Sequence, residues 1–380
     1  MELSDYRLIL DGIDNQLLSL FIQRMDISAE IAAYKREKQL PVLDVRREKE
    51  KLHTLEEKTP EEIRDYVFSL FSLILELSRS RQNRILHRES PETLAIMRAL
   101  KETPPLFPEK AVVACQGVEG AYSGIACEKL FVRPDIAYYP TFESVFSAIE
   151  DGCCQYGVIP VENSTAGTVN AVYDLMLKHE FCIVRSVRVK VDHNLLVRPG
   201  TKLGEIREIY SHAQAIAQCS AFLQSMPNVK VIPCENTAVA AKMVAESEDR
   251  SIAALSSRSC SRLYGLEILK PDVQNSGNNH TRFICISKKL EIYPGADRTS
   301  LMMVLPHEPG SLYKVLSRFY ALGINLIKLE SRPIPERSFE FMFYFDLDAS
   351  VYSPRFIQLM GELSGLAEEC KYLGSYSEAV

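Results

Sequence analysis

Tryptophan is absent from this 380-residue chain, and so are the signals of several special classes of protein. The first residues, MELSDYR, contain neither the basic segment nor the apolar run of a secretory signal peptide, so we expect a cytoplasmic protein. No apolar run approaches the ~20 residues that cross a bilayer as a helix. The sequence therefore predicts a globular protein that is neither secreted nor inserted in a membrane.

Metal and disulfide motifs are missing as well. The ten cysteines include no CxxC pair. Cys153 and Cys154 are adjacent, while Cys115, Cys182 and Cys285 lie within apolar patterns. The seven histidines are scattered, and none pairs at metal-ligand spacing. We expect buried free thiols in a reducing compartment, with no metal site and no cofactor.

A strong positive charge is also lacking, since 44 Lys and Arg face 50 Asp and Glu, giving a net charge of −6. This balance argues against nucleic acid as a partner. The apolar fraction of 46% and the charged fraction of 25% are those of an ordinary soluble protein. A chain of this length is too long for one hydrophobic core, so two or three domains are expected.

The first ninety residues have the pattern of helices and contain one glycine, Gly12. The first helix is predicted over about residues 4–39, and at 1.5 Å per residue it is about 50 Å long. Its apolar positions alternate three and four apart, at Leu10, Ile13, Leu17, Leu20, Ile27, Ile31 and Tyr34. A ninety-residue unit cannot bury so long a stripe, so we expect this segment to pair with a second copy of itself.

Two further helices are predicted in this segment, one starting near Asp44 and one from about Pro60 to Ile85. In the first helix, Arg24 stands in the apolar register, and a buried guanidinium must be paired or bind an anion. Lys35 lies eleven residues further on, on the same helix face. Taken singly, such side chains usually form solvated helix faces, and that alternative stays open for each of them.

Several polar side chains of this segment stand at positions that define a known family: Arg7, Arg24, Lys35, Asp44, Arg47, Glu48, Ser78 and Gln82. With the PV..D..RE run, the segment resembles the all-helical, intertwined-dimer chorismate mutases. The resemblance implies rearrangement of chorismate to prephenate, with Arg7 of the other subunit and Arg24 holding carboxylates. It also implies that Lys35 and Gln82 bond the ether oxygen and that Glu48 binds the substrate hydroxyl.

Beyond a linker at about residues 93–109, strands alternate with helices, and one stretch dominates the pattern. Gly157–Met176 reads GVIPVENSTAGTVNAVYDLM, an apolar strand, a polar loop and the start of a helix. Such a turn collects free backbone N–H groups and favours an anion, although a capped strand-to-helix turn is an equally good interpretation. The earlier glycine turn, GVEGAYS, is not GxGxxG, so we do not expect dinucleotide binding.

Five motifs in this region, GVEGAYS, GVIPVENSTAGTV, SHAQAIAQC, NTAVAA and NNHTRF, resemble prephenate dehydratase in order and spacing. The resemblance implies a two-lobed α/β domain, similar to periplasmic binding proteins, over residues 110–289. It implies that Thr281 assists departure of the ring hydroxyl and that the turns at Ser164–Thr168 and Asn236–Ala238 hold carboxylates. The substrate-binding residues so implied are Asn163, Ser164, Thr168, Ser211, Gln218, Thr237, Thr281 and Arg282.

The last segment, residues 298–380, has the pattern βαββαβ of a ferredoxin-like α+β sandwich. With ESRP and a glycine turn, it resembles an ACT regulatory domain that binds phenylalanine across a subunit interface. Ser311 and Tyr313 replace the usual Ala and Val of the glycine turn, which makes the expected pocket wall more polar and bulkier. The effector residues implied by the resemblance are Gly310, Ser311, Leu312, Asn325, Leu326, Glu330 and Ser331.

Together, the resemblances predict an enzyme of phenylalanine biosynthesis that has a mutase in residues 1–92, a dehydratase and a phenylalanine-sensing tail. Lys35, Gln82 and Thr281 are the predicted catalytic residues. A homodimer or tetramer is expected, with chorismate, prephenate and phenylalanine as ligands. Two alternatives remain open, a non-catalytic amino-acid sensor and a dehydratase that uses arogenate.

Overall fold

The computed structural model describes residues 2–86, 91–335, 337, 340–363 and 365–379. The chain divides into two compact units, each built from two separated stretches. The first unit comprises Met1–Met97 and Leu301–Tyr372, and the second comprises Arg98–Ser300 and Leu373–Val380. No helix among the described residues is long and apolar enough to cross a membrane.

Helices make up the amino-terminal segment: α1 (Leu3–Glu37), α2 (Val45–Glu57), α3 (Arg64–Leu86) and α4 (Pro91–Glu102). Helix α1 ends two residues before the predicted Gln39. The Asp44 carboxylate caps α2 by accepting a hydrogen bond from the backbone N–H of Arg47 at 3.0 Å. The predicted linker at residues 93–109 contains most of α4, in which Ile96 is fully buried.

The apolar stripe of α1 stays exposed in the single chain. Helix α1 packs on α3, and its buried residues are Ser28 and Ala32. The large apolar side chains of the stripe are between 41% and 62% exposed, namely Leu10, Ile13, Leu17, Leu20, Ile27, Ile31 and Tyr34. One chain therefore leaves the stripe without the cover that its hydrophobicity favours.

The second unit begins with alternating strands and helices, which the sequence pattern predicts. These are β1 (Lys110–Gln116), α5 (Tyr122–Leu130), β2 (Arg133–Tyr139), α6 (Phe142–Glu150), β3 (Tyr156–Asn163), β4 (Gly167–Thr168), α7 (Asn170–Met176) and β5 (Cys182–Lys190). The strands β1, β2 and β3 run parallel, and Val113, Cys115 and Val158 are fully buried among them.

The unit continues with β6 (Asn194–Val197), β7 (Glu208–His212), α8 (Ala213–Gln218), α9 (Ser220–Gln224), β8 (Lys230–Cys234), α10 (Thr237–Glu246), β9 (Ile252–Ser256), α11 (Arg258–Tyr264), β10 (Glu267–Lys270) and β11 (His280–Ser287). Strands β6 to β10 form a separate sheet in the order β10-β6-β9-β7-β8, which we call the second lobe. Strand β11 returns to the first sheet between β5 and β3, and these strands with β1 and β2 form the first lobe.

The lobes meet at the glycine turn after β1. The carbonyl of Gly120 accepts hydrogen bonds from Ser257 and Cys260 of the second lobe, and the Tyr264 hydroxyl donates to the carbonyl of Glu119. Gly120 has φ +89°, and a Cβ there would lie 2.9 Å from the Cys260 sulfur. The turn therefore requires glycine at this position both for its backbone conformation and for the close approach of the lobes.

The βαββαβ pattern of the last segment is present as β12 (Arg298–Val304), α12 (Ser311–Ala321), β13 (Asn325–Pro333), β14 (Phe341–Asp348), α13 (Pro354–Leu363) and β15 (Glu369–Ala379). The strand order is β13-β14-β12-β15, so β13 lies at an edge. The start predicted for the third strand, Phe339, lies outside the described residues. All ten cysteines are free thiols, and Cys153 is exposed, against the expectation that they are buried.

Candidate active sites

In the first unit, Arg24 of α1 turns toward α3. Its Nη1 donates to the carbonyl oxygen of Ile74 at 3.2 Å and to the hydroxyl of Ser78. Burial lowers the pKa of the Arg24 guanidinium, and the charge of Glu48 partly opposes this effect. The structure therefore brings together three of the predicted mutase residues, Arg24, Ser78 and Glu48, around one half-buried cation.

Glu48 is paired within the chain. Its carboxylate forms an ion pair with Arg79, a residue that the sequence argument did not select. Arg79 follows Ser78 directly on α3, and its positive charge is the sequence feature that could have identified it as a partner of Glu48. Lys35 donates from Nζ to the carbonyl of Val42 at 2.5 Å, which ties the end of α1 to the connection before α2.

Gln82 is buried, and its Oε1 finds no hydrogen-bond partner among the described residues. A buried amide oxygen without a partner is costly, so this acceptor of Gln82 is unsatisfied in the single chain. Asp44 and Arg47 are exposed, and the Asp44 carboxylate serves as the cap of α2. Arg7 is exposed seventeen residues before Arg24, about 25 Å away along the helix axis.

In the second unit, the pairing of β3 with β11 sets the positions of the predicted dehydratase residues. Thr281 lies opposite Asn163, and Arg282 lies opposite Glu162. Successive side chains of a strand point to opposite faces. Thr281 and Asn163 therefore share one face of the first lobe, while Arg282 and Glu162 share the other.

Hydrogen bonds join this face to the second lobe. Asn163 Nδ2 donates to Thr281 Oγ1 at 2.9 Å and to Asn279 Oδ1 at 2.8 Å. Gln218 of α8 donates from Nε2 to Thr165 Oγ1 at 2.7 Å. Three predicted residues, Asn163, Gln218 and Thr281, are thus brought together by two that were missed, Thr165 and Asn279. Both missed residues stand in the recognised motifs, but nothing in their spacing indicates which partner each binds.

A cavity of about 350 Å³ lies beside this network, and most of the residues that line it are of polar type. It is lined by Thr165, Ala166, Gln214, Ala217, Gln218, Gln274, Asn275, Ser276 and Asn279. Thr281 is half-buried and reaches this group of residues through Asn163. Among the described residues, no group of three or more His, Cys, Asp or Glu side chains could hold a metal ion.

The predicted substrate-binding residues of the dehydratase do not all line one cavity. Arg282 and Ser164 line a different cavity, of about 660 Å³, together with the cationic side chains of Lys129, Arg188 and Lys190. Strand alternation is the physical reason, because it turns these side chains to the face opposite Thr281.

The Ser164–Thr168 turn is also different from the expected helix start. It is a tight hairpin in which β4 pairs back onto β3, and α7 begins only at Asn170. Asn163 Oδ1 accepts the backbone N–H groups of Thr165 at 3.1 Å and Ala166 at 2.9 Å. The prediction that this turn offers these free donors to an anion is therefore wrong, because Asn163 already uses them.

The other predicted residues of the dehydratase lie around this centre. Ser211 is completely buried and donates its hydroxyl proton to the carbonyl of Leu255 at 2.7 Å, so it is not on a cavity surface. Asn236 caps α10 by accepting the N–H of Val239 at 2.8 Å, with the half-buried Thr237 next to it. Thr168 is half-buried in β4.

A third cavity, of about 290 Å³, lies in the first unit between the start of α12 and β14. Gly310, Ser311 and Leu312 line it, together with aromatic side chains of β14. Gly310 has φ +85° and precedes α12, which explains the glycine of this turn. The other predicted effector residues, Asn325, Leu326, Glu330 and Ser331, lie on edge strand β13 and are not part of this wall.

Two family models match this chain. The family model for chorismate mutase type II matches residues 6–83, and that for prephenate dehydratase matches residues 113–291. The bifunctional chorismate mutase/prephenate dehydratase of Escherichia coli is 30% identical, over 97% of this chain and 94% of its own. Arogenate dehydratase 2 of Petunia hybrida is 35% identical over 70% and 71%.

Among solved structures, the prephenate dehydratase of Arthrobacter aurescens in complex with L-Phe superposes with a TM-score of 0.65 at 27% identity. The match covers 70% of this chain and 90% of that one. Because the match to the Escherichia coli enzyme runs through nearly the whole of both chains, the resemblance does not stop at one domain. The chain belongs to the family of bifunctional chorismate mutase/prephenate dehydratases.

Proposed function

We propose that the two activities of the family are divided between the two ends of the catalytic part of this chain. Rearrangement of chorismate to prephenate takes place around Arg24, within residues 1–92. Dehydration of prephenate takes place beside Thr281, within residues 110–289. A mutase segment in the same chain supports prephenate, its product, as the substrate in preference to arogenate.

The dehydration needs one proton. Prephenate loses its ring carboxylate as carbon dioxide, and the electron pair of the broken C–C bond enters the ring. The ring then expels its hydroxyl group, which takes up the proton and leaves as water. The ring becomes aromatic in this step, so the enzyme has only to assist the departing hydroxyl and hold the substrate.

The observation that carries this proposal is the direction of the bond between Asn163 and Thr281. Because Thr281 Oγ1 accepts from Asn163 Nδ2 at 2.9 Å, its own proton stays available for the leaving oxygen. A hydroxyl placed in this way can donate a hydrogen bond, or its proton, where negative charge develops. Water then returns the proton to Thr281.

Replacing Thr281 by valine tests this role, since valine keeps the shape of the side chain and removes the hydroxyl. We expect phenylpyruvate formation from prephenate to fall by roughly a hundredfold or more. The conversion of chorismate to prephenate, measured on the same preparation, should stay at the wild-type rate. Thr281→Ser is the matched control and should keep much of the dehydratase rate. Equal rates for wild type and Thr281→Val would rule out the role.

The mutase reaction is a unimolecular rearrangement, so it needs a clamp and positive charge rather than a nucleophile. Arg24 and Lys35 supply cations, and Gln82 would donate from its amide Nε2 to the ether oxygen, which can only accept. Since Arg7 lies about 25 Å from Arg24 along the same helix, the Arg7 of a second chain completes the site. The exposed stripe of α1 supports an intertwined homodimer that buries it.

We further propose that residues 298–380 form an ACT domain whose effector is phenylalanine. The cavity at Gly310 has the apolar wall that a phenyl ring prefers, with Phe341 and Phe343 on β14. The Arthrobacter aurescens relative, solved with L-Phe, supports this ligand. The edge strand β13 would bring Glu330 of one protomer to the cavity of the next.

Phenylalanine should therefore slow the dehydratase, and Glu330→Ala should weaken the inhibition. Loss of one charge-assisted hydrogen bond raises the phenylalanine concentration for half-inhibition by roughly tenfold. Glu369→Ala, an exposed acid-to-alanine change on β15, is the matched control and should leave that concentration unchanged. A dehydratase rate unaffected by millimolar phenylalanine would remove the sensing role from this chain.

A further inference from the structure

One buried histidine of the second unit lies next to the predicted dehydratase residues, and the proposed dehydration of prephenate gives it no role. His193 precedes β6 and is 2% exposed. Its Nε2 lies 2.9 Å from Gln218 Oε1, and its backbone N–H donates to Gln274 Oε1 at 2.9 Å. Burial lowers the pKa of His193, against the smaller opposing effects of Gln218 and Asp192, so the ring is neutral at pH 7.

The surroundings of His193 fix its tautomer. Gln218 Oε1 also accepts from Asn279 Nδ2 at 3.0 Å, so the atom facing the histidine is an acceptor. The imidazole must therefore carry its proton on Nε2 and donate it to Gln218. Nδ1 finds no hydrogen-bond partner among the described residues, so within that part of the chain the imidazole forms its hydrogen bond through Nε2.

From Gln218 the direction of donation continues toward the reacting centre. Because Oε1 is held by two donors, the amide Nε2 points to Thr165 Oγ1, 2.7 Å away. Thr165 has one hydroxyl proton, and Asn163 Oδ1, at 2.7 Å, is its nearest acceptor. With its oxygen occupied, Asn163 presents Nδ2 to Thr281 Oγ1. Every bond in this series has its donor on the His193 side.

We propose that His193 is a positioning residue for the dehydration, which sets the direction of the Thr281 hydroxyl through Gln218, Thr165 and Asn163. No proton travels along this series of hydrogen bonds. The donors polarise one another and leave the Thr281 proton pointing away from Asn163, toward the substrate. The inference rests on the role proposed above for Thr281.

A purely structural histidine would act differently in one respect. If His193 only filled space, its effect on catalysis would be independent of Thr165, which is exposed and belongs to another element. If His193 and Thr165 belong to one series of hydrogen bonds, removing either side chain leaves the Thr281 hydroxyl without a fixed direction. Removing both should then lower the dehydratase rate little more than removing one. The coupling between the two positions therefore separates the two roles.

Thr165 supplies the first pair of variants, because its side chain is exposed and fills no part of the hydrophobic core. Thr165→Val removes the hydroxyl at constant shape, and we expect the dehydratase kcat to fall roughly 10-fold to 100-fold with KM changed less than about threefold. Thr165→Ser restores the hydroxyl and should restore kcat. The mutase rate of the same full-length chain reports that the preparation is intact.

His193 supplies the second pair. His193→Phe keeps a ring but removes the donor, and it should lower kcat by a factor similar to that of Thr165→Val. His193→Gln places an amide Nε2 donor near the original nitrogen and should recover much of the loss. The double variant His193→Phe with Thr165→Val should be no more than about threefold slower than the slower single variant.

The outcomes separate the proposals. The positioning role is overturned if the factors by which the two single variants lower kcat multiply in the double variant. It is also overturned if the kcat of Thr165→Val is within twofold of wild type. If His193→Phe does not fold, the Thr165→Val and Thr165→Ser pair still decides the question. A loss in these variants combined with a fully active Thr281→Val would instead show that the Thr281 assignment, and not the series of hydrogen bonds, is in error.

Discussion

At the scale of single residues, the dehydratase centre is governed by which atoms of each side chain are already bonded. Asn163 uses its amide oxygen inside the hairpin and is left with Nδ2 for Thr281. Ser211 gives its proton to a buried carbonyl. By residue type alone, Asn163 and Ser211 could both bind substrate. Their hydrogen-bond partners show that Asn163 keeps a donor for Thr281, whereas the hydroxyl proton of Ser211 is already used.

The neutral, buried state of His193 predicts a dependence of stability on pH. An unfolded histidine takes up a proton near pH 6.5, whereas burial lowers the pKa of the folded residue. The unfolded state therefore binds more protons as the pH falls below about 6.5, and the free energy of unfolding decreases there. This residue contributes a slope of at most about 1.4 kcal/mol per pH unit.

Denaturant unfolding of wild type and His193→Gln at pH 7.5, 6.5 and 5.5 measures this contribution. The loss of stability on acidification should be smaller in His193→Gln, because glutamine takes up no proton. Equal slopes for the two proteins would show that His193 is not held neutral by the fold.

The sequence could predict Thr281, Asn163 and Gln218 because each belongs to a motif of fixed spacing. It could not predict His193, Thr165 or Asn279 as one group, because their hydrogen bonds join segments that the chain brings together only on folding. Arg79 was missed for the same reason, since its partner Glu48 lies on another helix.

At the scale of elements, α3 uses two faces. Ile74 and Ser78 receive the guanidinium of Arg24 from α1. Glu76 lies two residues from Ser78, about 200° around the helix, and pairs with Arg318 of α12 at 2.7 Å. Both groups are almost fully buried, and Glu362 of α13 lies 3.8 Å from the same guanidinium. The mutase helix thus shares a buried ionic cluster with the helices of the βαββαβ segment.

Arg318→Met should strongly destabilise the first unit. It leaves two buried carboxylates without their cation, a loss that costs about 3–5 kcal/mol. Arg337→Met is the matched control, because Arg337 also faces two carboxylates, those of Glu369 and Glu340, but is 43% exposed. Thermal unfolding followed by circular dichroism should show a large decrease in Tm for Arg318→Met and little change for the control. Equal decreases would mean that the buried cluster stabilises this unit no more than the exposed one does.

Most elements were predictable because their signals are local. The helix bounds follow from caps and apolar spacing, as at Asp44 before α2. The Ser164–Thr168 hairpin was not predictable, because the same polar residues suit both a hairpin and a helix start, and the pairing of β4 with β3 decides between them. The placement of Arg282 and Thr281 on opposite faces was predictable, because neighbouring side chains of a strand point to opposite sides of the sheet.

At the scale of the whole molecule, the long helix α1 is the feature that one chain cannot satisfy. Its stripe is exposed, with Leu17 at 55% and Leu20 at 62%. Arg7 stands far from the Arg24 site of its own helix, although the resemblance to the mutase family requires both. The intertwined homodimer proposed above would resolve both problems at once, since a second copy would cover the stripe and bring its own Arg7 to the site.

Subunit complementation tests this account most directly. Arg7→Ala and Arg24→Ala, expressed separately as full-length chains, should each lack most of the mutase activity while keeping the dehydratase. Co-expression makes about half of the dimers mixed, and each mixed dimer has one intact site, so about a quarter of the wild-type mutase rate should return. A mixture no more active than the separate variants would contradict a mutase site shared between two chains.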